Sequence, residues 1–258
     1  MLMKISELSR IWGLKPHAVL HIGAHEGEEA LDYESNGWLP VIWVEAQTDL
    51  VKKLRRRLDP RVHQVINAAV WDTNGIPMKF NLASNSQSSS LLSFGTHMRD
   101  YPEVTFTNAY EVKTQRLDSL LEGESVPNFL NLDIQGAEGM AIKGLGKELD
   151  KIDAIYTEIN QKEVYLDCIM VEELDTLLRS AGFDRVATRW VLGRGWGDAL
   201  YLRRSVHHVN AVQKAQNFQL NSRHLTLQVI GRLKYYINVL SNRIFPTYKV
   251  IRKKGNKA

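Results

Sequence analysis

Short apolar runs alternate with helix-like segments along this chain, and three of those runs end in a carboxylate: Val41-Ile-Trp-Val-Glu45, Asn128-Phe-Leu-Asn-Leu-Asp133 and Ala154-Ile-Tyr-Thr-Glu158. A continuous apolar run parted from the next by a helix reads as one strand of a parallel sheet covered on both faces. In open sheets of that kind the ligand crevice lies beyond the carboxyl ends of the strands. The expected fold is therefore α/β, a doubly wound sheet, with Glu45, Asp133 and Glu158 converging on one cleft.

The remaining elements follow the same plan. Ala18-Val-Leu-His-Ile22 is the first strand, Gly23 to Gly27 the turn after it, and a helix runs to about Asn36, where Gly37 can take the left-handed C-terminal position. Leu50, Leu54 and Leu58 recur every four residues behind a Thr48/Asp49 cap, which predicts a second helix. Residues 62–66 form a third strand, 78–82 and 111–115 extra β segments around a long loop, and 137–145 a helix. Val171, Leu174, Leu177, Leu178 and Ala181 mark one face of a helix closed by Gly182, before final strands over 183–188 and 199–203.

With 258 residues, 44% hydrophobic and 24% charged, the chain falls in the ordinary soluble globular class, not the disordered, collagen-like or disulfide-scaffold classes. A chain of this length buries roughly 70% of its unfolded surface, so its core needs no metal or disulfide staple. Cys168 is the only cysteine, which excludes an intramolecular disulfide, argues against a Cys-based zinc site and makes a reducing compartment the default. No apolar run has the length of a membrane span and the N-terminus lacks a signal-peptide stretch, so a cytoplasmic protein is expected.

Charge is unevenly distributed. Residues 206–258 hold ten Lys or Arg and no Asp or Glu, which leaves the rest of the chain with 23 basic against 29 acidic residues, a net of −6. The organisation expected is an N-terminal helix within 1–16, a catalytic domain over 17–204 and a basic tail over 205–258. In the tail, Ile230, Leu233, Ile237, Leu240 and Ile244 recur at three- and four-residue spacing while Arg232, Lys234 and Arg243 lie off that line, the pattern of an amphipathic helix. Such a helix docks on the body or a dimer partner, lies on an anionic membrane surface with Tyr235, Tyr236 and Phe245 at the headgroup level, or binds nucleic acid. Oligomeric state stays open.

Gly23-Ala-His-Glu-Gly27 sits between a strand and a helix, where small residues let the backbone approach a ligand and helix-terminal N–H groups point into the cleft. Glu45 follows Gly23 by 22 residues, which places a carboxylate at the end of the next strand, within reach of both hydroxyls of a ribose. Two nucleotide readings compete. The dinucleotide fingerprint Gly-x-Gly-x-x-Gly is not met, because His25 and Glu28 stand at its second and third glycines. Glu26, Glu28 and Glu29 would also repel a pyrophosphate, but they are tolerable beside S-adenosylmethionine, which carries a sulfonium and an ammonium group and no phosphate. The charge argument favours the methyl donor.

Six segments then carry a family resemblance: His21-Ile-Gly-Ala-His-Glu-Gly27, Trp43-Val-Glu-Ala46, Asn67-Ala-Ala-Val70, Ser88-Ser-Ser-Leu91, Leu132-Asp-Ile-Gln-Gly-Ala-Glu138 and Gly197-Asp-Ala-Leu-Tyr201. In this order, over about residues 17–204, the chain resembles the FkbM-like S-adenosylmethionine-dependent methyltransferases. The resemblance implies a class I methyltransferase fold, a Rossmann-like seven-stranded sheet whose last strand is antiparallel, and O-methylation of a hydroxyl, commonly on a sugar of a glycan or glycosylated metabolite. It further implies that Gly23, Ala24, His25 and Gly27 hold the methionine part of the cofactor, Glu45 and Ala46 the ribose, and Ala68 and Ala69 the neighbourhood of the adenine, with Asp133 beside them. His21 and His25 depart from the Asp and Asn that family members often carry, and their strand-and-turn placement gives no helical pairing for zinc.

Methyl transfer to an alcohol needs an aligned oxygen and a way to remove its proton. The candidates at the strand ends are Asp133, Glu138, Glu158 and Asn160, with Asp198 after Gly197 either near the cleft or capping the turn into the last strand. Asp133, Glu158 and Asn160 form an all-oxygen set suited to Mg²⁺, which could bind two sugar hydroxyls and acidify one; the same oxygens could instead hydrogen-bond the sugar or cofactor directly. His97 is a further candidate base or a surface histidine. The serine-rich stretch 84–90 is a flexible loop by composition, or a segment that orders against a ligand, and Tyr101, Phe106 and Tyr110 could stack on a sugar or fold back on the core. The reading is an O-methyltransferase acting on a saccharide or glycosylated metabolite. Its rivals are an RNA methyltransferase that uses the basic tail, and a non-catalytic nucleotide-binding scaffold in glycan assembly.

Overall fold

The computed structural model of the chain describes residues 1–244, except for the side chains of residue 236 and of 238–244. The chain runs α1 (Ile5–Trp12), β1 (Val19–Ile22), α2 (Ala30–Asn36), β2 (Val41–Glu45), α3 (Thr48–Arg57), β3 (His63–Asn67), β4 (Ala69–Val70), β5 (Pro77–Ala83), α4 (His97–Asp100), β6 (Phe106–Gln115), α5 (Leu117–Leu120), β7 (Phe129–Leu132), α6 (Glu138–Gly144), β8 (Ala154–Asn160), α7 (Val171–Ser180), β9 (Phe183–Trp190), β10 (Trp196–Arg203) and α8 (Ala211–Ile244).

Every residue of β1, β2, β7 and β8 is buried, as runs covered on both faces must be. These strands pair in parallel at the centre of a seven-stranded sheet of order β3-β2-β1-β7-β8-β10-β9, in which β10 runs antiparallel to both neighbours. This is the doubly wound class I arrangement with an antiparallel last strand. Alternate residues face opposite layers. Leu20, Ile22, Ile42 and Val44 join Ala141, Ile142, Leu174 and Leu178 of α6 and α7 in the main core. On the other face His21 stacks on Trp43 with ring centroids 4.7 Å apart, and Asn131 Nδ2 donates to the Tyr33 hydroxyl of α2 at 2.6 Å.

Strand order reverses direction at β1 and β7, and there the two following loops touch. Gly23 has φ +85°, and a Cβ on it would lie 1.8 Å from the Asp133 carbonyl oxygen. Only glycine satisfies both conditions.

Three local readings differ from the pattern. The helix after the first strand starts only at Ala30, because His25 (φ 45°) and Gly27 (φ 68°) bend residues 24–29 out of helical geometry. The Thr48/Asp49 cap does not form: Gln47 is the N-cap and makes no side-chain cap bond, Thr48 Oγ1 donates to Asn67 Oδ1, and Asp49 pairs with Lys52. The extra β segments extend to Pro77–Ala83 and Phe106–Gln115 and form, with β4, a separate three-stranded sheet.

Two compact units are distinguished, Met1–Asn217 and the residues from Phe218 onward. Within the second, α8 is helical to Ile244 and exposes Phe218, Leu227, Val229, Leu233 and Ile237. The tail positions Phe245, Lys249, Arg252, Lys253, Lys254 and Lys257 lie outside the described residues, as do the side chains of Tyr236, Leu240, Arg243 and Ile244. Among the described residues no helix is long and apolar enough to cross a membrane.

Candidate functional site

Two adjoining clefts open at the carboxyl ends of β1, β2, β7 and β8. One, of about 560 Å³, is lined by Glu45, Ala46, Ala68, Ala69 and Phe80; the other, of about 1380 Å³, by Glu158, Tyr165, Asp198, Tyr101 and Trp196. Gly23, His25, Gln87, Asp133 and Gln135 border both, so the switch point of the sheet is the junction of the two clefts. The three strand-end acids do not share one cleft as expected: Glu45 lines the first, Glu158 the second and Asp133 both, so they meet across two adjoining clefts.

Glu45 is 5% exposed, and burial raises its pKa above the ordinary carboxylate value. Its Oε2 accepts the backbone N–H of His25 at 2.8 Å and its Oε1 that of Gln47 at 2.7 Å. Each oxygen keeps a lone-pair site for a further donor. The His25 ring is committed elsewhere, with Nδ1 2.6 Å from Glu28 Oε1 and Nε2 2.7 Å from Ser86 Oγ. Burial opposes the Glu28 charge, yet the His25 hydrogen bond prevails and holds that carboxyl down at about 2.

Ala24 and Gly27, also expected at the cofactor, lie in the turn but line neither cleft. Ala24 is 1% exposed, and a Cβ on Gly27 would meet Leu54 and Arg57 of α3, so this glycine serves the approach of α3.

At the second cleft Gln135, which the pattern of acids does not single out, joins them. Its Nε2 donates to Asp133 Oδ1 at 2.6 Å and to Glu158 Oε2 at 3.2 Å, and its Oε1 lies 2.7 Å from the Tyr165 hydroxyl. Glu158 is raised well above the carboxylate range, first by burial and then by the charges of Asp133, Glu138 and Asp198. Glu138 is wholly buried at the start of α6 and pushed up to about 7 by burial. Its Oε1 accepts the N–H groups of Ile134 at 3.0 Å and Gly136 at 3.2 Å, so it acts on the turn that carries Asp133 and Gln135. Asp198, opposite Glu158 in the β8–β10 ladder, accepts the Tyr156 hydroxyl at 2.6 Å and the Leu2 backbone N–H, and burial pushes it up to about 6. Asn160 is fully buried and lines neither cleft.

The serine-rich stretch is ordered over the site: Ser86 meets His25, the Ser88 carbonyl faces Tyr165, and Ser90 Oγ donates to the Gln135 carbonyl at 2.8 Å. His97 is buried, stacks on Phe94 at 4.2 Å, and is held below the ordinary histidine value by burial. Tyr101 borders the second cleft, whereas Phe106 stacks on Phe94 and Tyr110 packs against Phe80. His21, inside the aromatic layer, is driven down to about 3 by burial.

The model of the FkbM methyltransferase domain matches residues 21–185, well over half the chain. The chain belongs to the FkbM methyltransferase family. The matched span takes in five of the six segments that carry the resemblance, and the sixth lies beyond residue 185. The chain is 32% identical over 102 residues to the 2-O-methyltransferase NoeI of Sinorhizobium fredii, a match that covers 39% of this chain and only 41% of that protein. Among solved structures it is similar to magnesium protoporphyrin IX methyltransferase of Synechocystis PCC 6803, at 10% identity over 77% of this chain and 74% of that one with a TM-score of 0.44. TrmK of M. capricolum is similar at 10% identity over 95% and 92% of the two chains, with a TM-score of 0.42.

Proposed function

We propose that this FkbM methyltransferase binds S-adenosylmethionine across the junction of the two clefts and methylates a hydroxyl of a saccharide or glycosylated metabolite in the larger one. The observation that carries the reading is Glu45, aimed by two backbone N–H groups over a cleft walled by Ala68, Ala69 and Phe80. Spare lone pairs on both oxygens suit the two hydroxyls of a ribose, and the small apolar wall suits an adenine. Asp133 at the junction, with Glu28 and Glu29 in the larger cleft, suits a cationic sulfonium and ammonium and disfavours a phosphate. The relative's name, a 2-O-methyltransferase, supports an oxygen acceptor.

When bound, the cofactor supplies a methyl group on a good leaving sulfur. The chain's residues then have to hold the acceptor in line and take its proton. Asp133, which faces both clefts, is placed to accept that proton as the acceptor oxygen bonds to the methyl carbon and the carbon–sulfur electrons stay on sulfur. Glu158 shares its Gln135 bridge and completes the acid pair, while Tyr101 and Trp196 offer faces on which a sugar ring can stack. Glu138 and Asp198, bonded to backbone N–H groups, position the turn and the strand end around them. Calorimetric titration with S-adenosylhomocysteine and, in parallel, NADH tests the reading. Binding of the first alone, weakened at least about tenfold in Glu45→Ala, is expected; binding of NADH alone, or none, would overturn it.

The second unit supports one further partner. In α8, Phe218, Leu225, Val229, Leu233 and Ile237 are exposed along one helical line, flanked by Arg223, Arg232 and Lys234 without an acidic residue. Apolar side chains bordered by cations match an anionic membrane surface, where the stripe enters the headgroup boundary and the cations meet the phosphates.

A further inference from the structure

We propose that Gln135 is a positioning residue whose side-chain nitrogen occupies the point between Asp133 and Glu158 that a divalent cation would need, so that the acceptor meets a hydrogen-bonded, cation-free carboxylate pair. The inference rests on the methyltransferase reading of the cleft.

The bridge is built, not incidental. Gln135 takes φ 57° and Gly136 φ 102°, two consecutive left-handed residues that turn the Gln135 side chain back over Asp133. A long non-glycine side chain in that conformation is uncommon and needs a local reason. The reason is its three partners: both carboxylates on the nitrogen and the Tyr165 hydroxyl on the oxygen. Tyr165 reaches it because position 136 has no side chain, since a Cβ there would lie 2.9 Å from the Tyr165 Cβ. Ser90, 1% exposed, donates its hydroxyl to the Gln135 carbonyl.

These partners also set which end of the amide faces the acids. Reversal would set the amide oxygen 2.6 Å from Asp133 Oδ1, acceptor against acceptor, whereas the Tyr165 hydroxyl can donate to the amide oxygen, so the donor end is the one that bridges. Mg²⁺ requires oxygen ligands at about 2.0–2.1 Å in near-octahedral geometry, and an amide nitrogen between the same two oxygens both fills that point and cannot serve as a ligand. Asn160, the third oxygen expected from the sequence, lines neither cleft, and among the described residues no three His, Cys, Asp or Glu side chains are grouped to hold a metal ion. The Mg²⁺ set of Asp133, Glu158 and Asn160 therefore does not fit this site.

The test is a titration of the chelator-stripped full chain with Mn²⁺, followed by calorimetry, on wild type, Gln135→Glu and Gln135→Ala. S-adenosylhomocysteine is titrated into the same samples. The wild type is expected to show no stoichiometric Mn²⁺ site, and Gln135→Glu, which replaces the donor with a third carboxylate, to gain at least about tenfold in Mn²⁺ affinity. Gln135→Ala, which vacates the point, is expected to gain in the same direction, so the test does not depend on one variant folding. A purely structural glutamine would produce no such gain. One Mn²⁺ bound by wild type and lost in Asp133→Asn overturns the proposal, as does silence in both folded Gln135 variants. Failure of wild type to bind S-adenosylhomocysteine would instead remove the methyltransferase reading of the cleft and leave the Mn²⁺ comparison standing.

Discussion

The backbone of Gly23 and the carbonyl of Asp133 press against each other so closely that the loops after β1 and β7 form one wall of the site. Position 23 combines φ +85° with a Cβ position only 1.8 Å from that oxygen. Gly23→Ala is expected to cost about 2–4 kcal/mol, from left-handed strain and forced separation of the two loops. Urea unfolding at neutral pH measures the loss. S-adenosylhomocysteine titration of the folded fraction should show weaker binding, because Asp133 and His25 move with their loops.

Glu138 gives a pH dependence with a defined sign. Its pKa rises from 4.5 to about 7 in the folded chain because burial disfavours the charge. Between those values the folded state keeps a proton that the unfolded state has released, so the contribution of Glu138 is fully present below about pH 4.5 and is lost as pH rises toward 7. Glu138→Gln removes that titration. The stability of Glu138→Gln relative to wild type should therefore improve by up to about 3 kcal/mol between pH 4.5 and 8. Urea midpoints across this range decide it, and a constant difference would count against a buried, protonated Glu138.

Arg189 of β9 is 2% exposed and donates to Glu7 of α1 at 2.8 Å, with Asn217 Oδ1 also at 2.8 Å. Removing one partner of a buried pair leaves the other charge uncompensated. Glu7→Ala should lower stability by about 2 kcal/mol, and Glu7→Ala with Arg189→Met should recover part of the loss. A thermal-unfolding double-mutant cycle reads the coupling.

The exposed line on α8 leads to a vesicle experiment. The full chain should co-sediment with vesicles containing phosphatidylserine and not with neutral ones, and salt should weaken the association. Leu233→Asp with Ile237→Asp should abolish it while leaving S-adenosylhomocysteine binding unchanged. Sedimentation that is indifferent to these changes and to lipid charge would refute the membrane reading, and binding to RNA alone would move the helix to a nucleic-acid partner.

The sequence by itself determined the sheet and the address of the cleft. Buried runs such as 41–45 and 129–132 declare parallel strands through composition and length, and an acid that ends such a run or directly follows it lies at the carboxyl end of the sheet whatever packs around it. The glycine turn at 23–27 was legible for the same local reason. What each acid does was decided by the tertiary structure, because a carboxyl's charge and orientation depend on partners brought in from far along the chain. Glu138 and Asp198 carry the same kind of group as Asp133, yet one is bound to the N–H groups of its own turn and the other to the Leu2 backbone N–H, 196 residues away. Gln135 gained its place from Tyr165, 30 residues on, and Ser90, 45 residues back. The chain-local pattern places side chains at the mouth of the cleft, while long-range packing and burial decide which of them face the ligand and which hold the wall.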